Sequence, residues 1–406
     1  MCSFIAGMWL NYPIYRRFIS IFIAISTKFV FKNKTAIVSV INDLVTDQRV
    51  YRTCGVLHEM GYDITLIGRE LSDSPKLPQW NWKARRMKLL FTKGPLFYLF
   101  FNVRLFIFLI FQKRALLFAN DLDTLLPNFL VAKLKRVPLI YDSHELFCDV
   151  PELQNNRLKR KIWQWLEKQL VPRVKHRITV NESIAKVFYS RYKVDFTVVR
   201  NISNAPDQIL SPNKSSLGFP NEWPLLILQG AGINIGRGAE ELVLAMHHLE
   251  AGLLIIGGGD VWQKLEMLIQ KEGLSQKIRM IQRLPRQELF GYTQLAAVGL
   301  SIDKPIALNY ELSLPNKLFD YIQAGTPVLA SNMVEVAKIV NSYGVGVCID
   351  NVNPETIAAT IQQMLIPENQ ALYRKACQNA AIRLNWNKEK NALKEVLLKA
   401  IEAPSF

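Results

Sequence analysis

The chain has 406 residues, half of them apolar, which as a length prior gives two or three domains with ample material for their cores. Five scattered cysteines (Cys2, Cys54, Cys148, Cys348 and Cys377) with no C-x-x-C pair exclude a disulfide framework and read as packing thiols of a chain in a reducing cytoplasm. The net charge of +16, concentrated in the first half, points to an anionic partner; no helix-turn-helix, RNA-binding or zinc-finger pattern accompanies it, so nucleic acid is set aside.

Residues 1–32 form an apolar N-terminal extension. Phe18–Phe31 is short for a membrane span, Lys28 interrupts it, and no small-residue cleavage site follows, so a peripheral anchor or an over-long start is the expectation. From Thr35, strands and helices alternate. Strand Thr35–Ile41 leads to a helix from Gln48 to Met60, ended by Gly61, and to strand Asp63–Gly68. Strands Ala115–Ala119, Pro138–Asp142, Arg177–Val180 and Phe196–Arg200 follow, with helices between them. The strands are continuously apolar, so both faces are covered and the sheet is parallel. This domain, 33–205, has two basic stretches with interleaved tryptophan: 76–93, with Trp80 and Trp82, and 157–177, with Trp163 and Trp165. Charge that binds headgroups and indole that sits at the interface suit contact with an anionic membrane, the alternative being solvated helix faces. Pro95–Gln112 is long enough to span a bilayer but has Arg104 at its middle, and reads as a buried or interface-lying helix.

Residues 206–224, rich in Pro, Ser, Asn and Gly, read as a linker. The alternation restarts over 225–385. Its strands are Leu225–Gln229, Gly252–Ile256, Ile278–Ile281, Val298–Ile302, Pro327–Ala330 and Val345–Ile349. Its helices are Ala239–Leu249, Val261–Glu272, Arg286–Leu295, one between Pro315 and Gly325, one near Val334–Asn341, and Pro354–Met364. A last helix, within 386–406, is expected to pack back onto the first domain. The fold class is therefore α/β: two doubly wound Rossmann-like domains facing across a cleft at the carboxyl ends of their sheets.

The run Leu312–Ser331 is the most informative. Pro315 can open a helix and Gly325 can close it in a left-handed cap. Asn316 and Lys317 at its start suit a phosphate, and Asp320 one turn further in suits two ribose hydroxyls, which together is equipment for a nucleoside diphosphate. The loop from Gln229 to Gly238 offers Gly230 and Gly232 for close backbone approach and Arg237 to fork onto phosphate. Gly257, Gly258 and Gly259 end the next strand and can let a nucleotide sit over bare backbone. In the first domain, Asp142-Ser143-His144-Glu145 follows a buried strand; His144 can donate a hydrogen bond or shuttle a proton, oriented by Asp142 or Glu145. Asp43, Arg49 and Glu145 are expected on the acceptor side, with Asp47 as a helix cap. Asp121-Leu122-Asp123 has a D-x-D pattern but sits where a helix starts and reads as its N-cap. No bound metal and no other cofactor is expected.

Together these pieces resemble the family 4 (group 1) glycosyltransferases of the GT-B fold over roughly residues 35 to 385, most strongly at Ser313–Ser331. The resemblance implies transfer of a sugar, with retention and without metal, from a nucleotide-diphosphate sugar to an acceptor hydroxyl. It implies a glycan or lipid-linked acceptor and a cytoplasmic, membrane-associated role in cell-surface polysaccharide or glycolipid synthesis. It places His144 near the anomeric carbon, Asp320 on the ribose, and Lys317 on the diphosphate with Asn316 at the helix start. The family's acidic pair is incomplete here: its first member falls on Leu312, with Glu311 one residue off. The loop's usual arginine is replaced by Ala231 and its lysine by Arg237, so Arg237 and Lys317 leave the diphosphate two cations. The segment Pro315-Asn316-Lys317-Leu318-Phe319-Asp320-Tyr321 marks a variant subgroup. Two other readings compete. A GT-B-fold sugar-nucleotide epimerase would need more cleft acids than Asp142 and Glu145. A non-catalytic sugar- or lipid-binding paralogue is favoured by the missing acid and opposed by Lys317, Asp320 and His144.

Overall fold

The computed structural model of the chain describes residues 34–402 apart from 46, 73 and 155, so the expected anchor in 1–32 lies outside the described residues. The first sheet has seven parallel strands: β1 (Thr35–Ser39), β2 (Asp63–Glu70), β3 (Lys83–Lys88), β4 (Leu116–Asn120), β5 (Leu139–Ser143), β6 (His176–Thr179) and β7 (Thr197–Val198), ordered β3-β2-β1-β4-β5-β6-β7. Its helices are α1 (Gln48–Glu59), α2 (Gly94–Phe111), α3 (Leu122–Lys135), the short α4 (Pro151–Gln154), α5 (Arg157–Leu170) and α6 (Glu182–Tyr192).

The second sheet has six parallel strands: β8 (Leu225–Gly230), β9 (Gly252–Gly257), β10 (Ile278–Gln282), β11 (Val298–Ser301), β12 (Val328–Ser331) and β13 (Gly346–Ile349), ordered β10-β9-β8-β11-β12-β13. Its helices are α7 (Ala239–Ala245), α8 (Trp262–Lys271), α9 (Arg286–Leu295), α10 (Leu308–Glu311), α11 (Asn316–Ala324), α12 (Val334–Tyr343), α13 (Pro354–Met364) and α14 (Pro367–Arg383). The last helix, α15 (Trp386–Glu402), packs on α1 and on β5 to β7, with Arg200 Nη2 2.6 Å from Glu389 Oε1.

Successive residues of a strand point to opposite faces, and here each face has its own core. Ile37 of β1 joins Leu117, Leu139 and Phe101 under α2, α3 and α5. Its neighbours Ala36 and Val38 join Leu66, Phe118, Leu393 and Leu397 under α1 and α15. That is why the strands read as unbroken apolar runs. In each sheet the strand order reverses once, between β1 and β4 and between β8 and β11. Loops leaving a switch point diverge and open a crevice at the carboxyl ends.

The structure departs from the sequence reading in 76–93. Lys83–Lys88 is the edge strand β3, with Ala84 opposite Leu66. Its charged composition hides it from a search for apolar runs and suits an edge that must not pair with other chains. Trp80 and Trp82 stack 5.9 Å apart, Trp82 lies 5.4 Å from Tyr51 of α1, and both indoles are half-buried there. Helix α14 was also not anticipated; it packs on α11, and Gln323 Nε2 donates to Leu384 O just beyond α14 at 2.6 Å. Cys54, Cys148 and Cys377 are buried free thiols and Cys348 is half-buried.

Candidate active site

In the parallel register of β4 and β5, Asn120 lies opposite Asp142, and these strand ends build the first-domain wall. His144 follows β5. Its backbone N–H donates to Asp121 Oδ1 (2.9 Å), its Nδ1 lies 3.3 Å from Asp121 Oδ2, and its Nε2 lies 3.2 Å from Asn120 Oδ1 and 3.6 Å from Asp142 Oδ2. The expectation of a helix cap at Asp121 is corrected. It occupies the N-cap position of α3, but its φ of 61° turns the carboxylate away from the helix and onto His144, and it makes no cap bond. Burial works against the imidazolium, but the Asp121 and Asp142 carboxylates outweigh it and raise the His144 pKa to about 9. A ring that is cationic at neutral pH is a donor, not a base. Burial, then the charge of Asp121, raises Glu145 to about 7, and its Oε2 accepts from Asn309 Nδ2 (2.8 Å) of the second domain.

Arg49 is not an acceptor-side residue. Its Nε and Nη2 donate to Asp142 Oδ2 (2.8 Å) and Oδ1 (2.6 Å), and its Nη1 donates to Val199 O (2.7 Å). The two side chains are 4% and 2% exposed, so this bidentate pair is a buried foundation under His144. Burial alone would raise the Asp142 pKa, but Arg49 and His144 bring it down to about 2. Asp43 is likewise turned into its own loop, where Oδ1 accepts from Val45 N–H (3.2 Å), while Asp47 caps α1 by accepting from Val50 N–H (3.0 Å).

The second-domain wall is organised by a residue the sequence reading passed over. Asp303, just past β11 and 3% exposed, accepts from Arg237 Nη1 through Oδ2 (2.9 Å) and from Lys317 Nζ through Oδ1 (3.2 Å). The Arg237 guanidinium lies 4.1 Å over the Tyr310 ring, and its Nε is buried without a hydrogen-bond partner. Burial lowers the Lys317 pKa, and Asp303 resists that fall. An acid at the carboxyl end of a strand flanking the switch point was the available signal. Arg283 was missed too: its Nη2 donates to Ala231 O (2.6 Å), bringing a cation to the loop position where Ala231 stands.

The two glycine-rich loops interlock. Ile233 N–H donates to Gly258 O (2.7 Å), and Gly258 N–H to Gly230 O (3.4 Å). A Cβ at Gly257 (φ 145°) would sit 1.8 Å from Gly230 O, and one at Gly259 (φ 149°) 2.2 Å from Ile233 O, so loop packing demands both glycines. Gly232 and Gly258 have room: the nearest atoms to a Cβ there are Asn234 Nδ2 at 3.5 Å and Arg283 Nε at 3.6 Å.

Helix α11 begins at Asn316, with Pro315 as its cap residue, and ends in left-handed Gly325 (φ 73°). Asn316 is exposed on the first turn. Asp320, one turn beyond Lys317, accepts from Ser203 Oγ (2.8 Å) and lies 3.6 Å from Arg286 Nη2. The structure thus joins Arg237 and Lys317 through Asp303, and ties Asp320 to the segment leading into the linker. Contacts across the cleft link the walls. Leu146 N–H donates to Asn309 Oδ1 (2.9 Å), and Asn181 Nδ2 donates to Leu312 O (2.8 Å). Among the described residues, no group of three or more His, Cys, Asp or Glu converges as metal ligands do.

This architecture is shared with solved structures. Sucrose-phosphate synthase from Thermosynechococcus elongatus superposes with a TM-score of 0.72 at 16% identity, covering 90% of this chain and 99% of that one. Anabaena HepE in complex with UDP and glucose gives 0.69 at 12% identity, covering 90% and 100%. WaaG, a glycosyltransferase involved in lipopolysaccharide biosynthesis, gives 0.65 at 14% identity, covering 90% and 99%. At such identities the likeness is one of fold, and the fold is GT-B. No curated protein sequence matches the chain. The family model "Glycosyltransferase Family 4" matches residues 47–207 and "Glycosyl transferases group 1" matches 219–383, one on each domain. With both domains so matched, the chain belongs to the family 4/group 1 glycosyltransferases.

Proposed function

We propose that this sugar-nucleotide glycosyltransferase acts with retention and without metal, on a glycan or lipid-linked acceptor, in cell-surface polysaccharide or glycolipid synthesis. The observation that carries the reading is the pairing of Arg237 and Lys317 on Asp303, with the His144 loop tied to the segment before Lys317 through Glu145 and Asn309. Arg237 and Lys317 stabilise charge on the departing diphosphate, the term that dominates when a leaving group takes the bonding electrons. The bond between the anomeric carbon and the phosphate oxygen breaks, and the acceptor oxygen bonds to the same face. The acceptor's proton passes to the leaving phosphate oxygen, because a cationic His144 cannot take it. His144 instead donates to the sugar, and the cleft-spanning bonds of Asn309 and Asn181 help exclude water.

HepE was solved with UDP and glucose, so UDP-hexoses are the first donors to test, then GDP- and ADP-sugars. Thermal shift finds the nucleotide, because a ligand that binds only the native state raises apparent stability. Transfer to a lipid-linked or glycan acceptor in EDTA, with the product's anomeric configuration read by NMR, tests the rest. Inverted product, or activity lost in EDTA and restored by metal, overturns the mechanism. An isomeric sugar nucleotide formed without acceptor identifies an epimerase, and binding without turnover a non-catalytic paralogue.

A further inference from the structure

We propose that the outer face of the α2, α3 and α5 layer docks on an anionic phospholipid bilayer, with a headgroup phosphate entering the cavity beneath Arg85 and Arg104. The inference goes beyond the sugar-transfer reading and does not depend on it.

Helix α2 is long and apolar enough to cross a membrane, but it is the crossover between parallel strands β3 and β4 and is held along the sheet. Phe97, Phe101, Leu105 and Leu109 form its buried stripe, each at most 4% exposed. The remaining side carries Leu96, Leu99, Val103, Ile107 and Phe111, which are 47–83% exposed. Helix α3 packs on α2 and on α5, and the rings of Tyr98 and Trp163 join α2 to α5 at 5.1 Å. Helix α5 adds exposed Ile162 and Trp165 to the same layer. An apolar expanse of this kind marks an interaction surface.

The charges identify the occupant. The only carboxylates in α2, α3 and α5, Asp123 and Glu167, are buried, and every exposed charge on these helices is Lys or Arg. Between β3 and α2 lies a cavity of about 310 Å³ lined by Arg85, Arg86, Met87, Arg104, Ile107 and Phe108. Lys83 and Lys88 on the same strand lie 3.5 and 3.9 Å from Asp63 and Glu70, whereas Arg85, Arg86 and Arg104 form no ion pair among the described residues. Arg85 lies 5.5 Å over the Phe108 ring and Arg104 Nη1 donates to Lys88 O, whereas Arg86, the next residue of the strand, turns its guanidinium to the other face and donates to Asp43 O (2.7 Å) and Pro75 O (2.5 Å). Guanidinium forks match phosphate oxygens, and Ile107 belongs both to the cavity and to the exposed stripe, so a phosphate and its acyl chain find adjoining partners.

The test is co-sedimentation of the full chain with vesicles of phosphatidylcholine, with or without phosphatidylglycerol. Binding is expected only with phosphatidylglycerol, weakening as salt rises. Arg85→Glu combined with Arg104→Glu should lower vesicle partitioning about tenfold or more. Leu99→Glu with Ile107→Glu should do the same, with a cooperative thermal unfolding transition reporting that each variant is folded; if the apolar variant does not fold, the arginine variant decides. Equal binding to neutral vesicles, or wild-type binding by the arginine variant, overturns the proposal and places any attachment elsewhere, for instance in residues 1–33. A dimer seen by light scattering that Ile107→Glu dissolves, with no vesicle binding, assigns the face to a second copy instead. None of these outcomes bears on sugar transfer to a soluble acceptor.

Discussion

Lys317 and Arg237 sit on opposite oxygens of one buried carboxylate, Nζ 3.2 Å from Asp303 Oδ1 and Nη1 2.9 Å from Oδ2. The carboxylate sets their spacing and offsets their mutual repulsion. Replacing Lys317 with Ala should weaken nucleoside diphosphate binding by about 1–3 kcal/mol, as for a charged hydrogen bond. Asp303→Asn is the sharper test. If only net charge mattered, removing an anion would tighten binding of an anionic ligand. If Asp303 positions the cations, binding weakens, and stability falls by roughly 3–5 kcal/mol because the buried pair is broken. Calorimetric titration with UDP, GDP and ADP, alongside urea unfolding, separates the two.

His144 makes activity pH-dependent in a defined direction. Its folded pKa of about 9 lies above the ordinary 6.5, so the stabilisation from its carboxylate partners is fully present below 6.5 and is lost as pH rises through about 9. Turnover should fall along the same alkaline limb, as the ring loses the proton it donates with. Asp121→Asn removes the stronger of the two carboxylate charges that raise His144, so the limb should move toward neutral pH while donor affinity at pH 6 is kept. A limb that stays in place in Asp121→Asn shows that another group titrates.

The Arg49–Asp142 pair predicts non-additivity. Each of Arg49→Met and Asp142→Asn leaves the other group buried without its counter-charge, which costs about 3–5 kcal/mol. The double variant should be more stable than the sum of the two losses implies, by roughly 1–3 kcal/mol. With a folded pKa of about 2 against an ordinary 3.8, Asp142 contributes stability that is present above pH 3.8 and lost as pH falls through about 2. Urea unfolding of the four proteins gives the coupling energy; simple additivity would mean that the pair is not one unit.

What could be read from sequence was what a periodicity or a local motif carries. The continuously apolar strands announced two parallel sheets, because both faces of β1 and β8 are covered. His144 was singled out because it follows a buried strand, Arg237 because it lies in a glycine-rich strand-to-helix loop, and Lys317 because it stands in the first turn of a helix opened by Pro315. Arg49 was misassigned because its partner Asp142 is remote in sequence, and no local pattern reports a buried ion pair. Asp303 and Arg283 went unnoticed for the same reason: their importance comes from Lys317 and Ala231, which tertiary structure brings to them. Strand β3 was obscured by its edge position, which favours charge over apolar alternation.

Asp320 is the residue whose expected partner and observed partner differ. Its carboxylate accepts from Ser203 Oγ at 2.8 Å, with Arg286 at 3.6 Å, whereas the family resemblance gives it a ribose. The two are compatible if a ribose hydroxyl replaces the serine hydroxyl, one neutral donor for another at small net cost. Ser203→Ala then removes a competitor, and nucleotide binding should hold or tighten slightly. Asp320→Asn should weaken UDP while leaving 2′,3′-dideoxy-UDP nearly untouched, so the wild-type preference for the ribonucleotide, expected at about tenfold for a charged hydrogen bond, collapses. Calorimetry on the two ligands with wild type and both variants decides. A preference that survives in Asp320→Asn takes the ribose away from this carboxylate and leaves it as the tie between α11 and the interdomain segment.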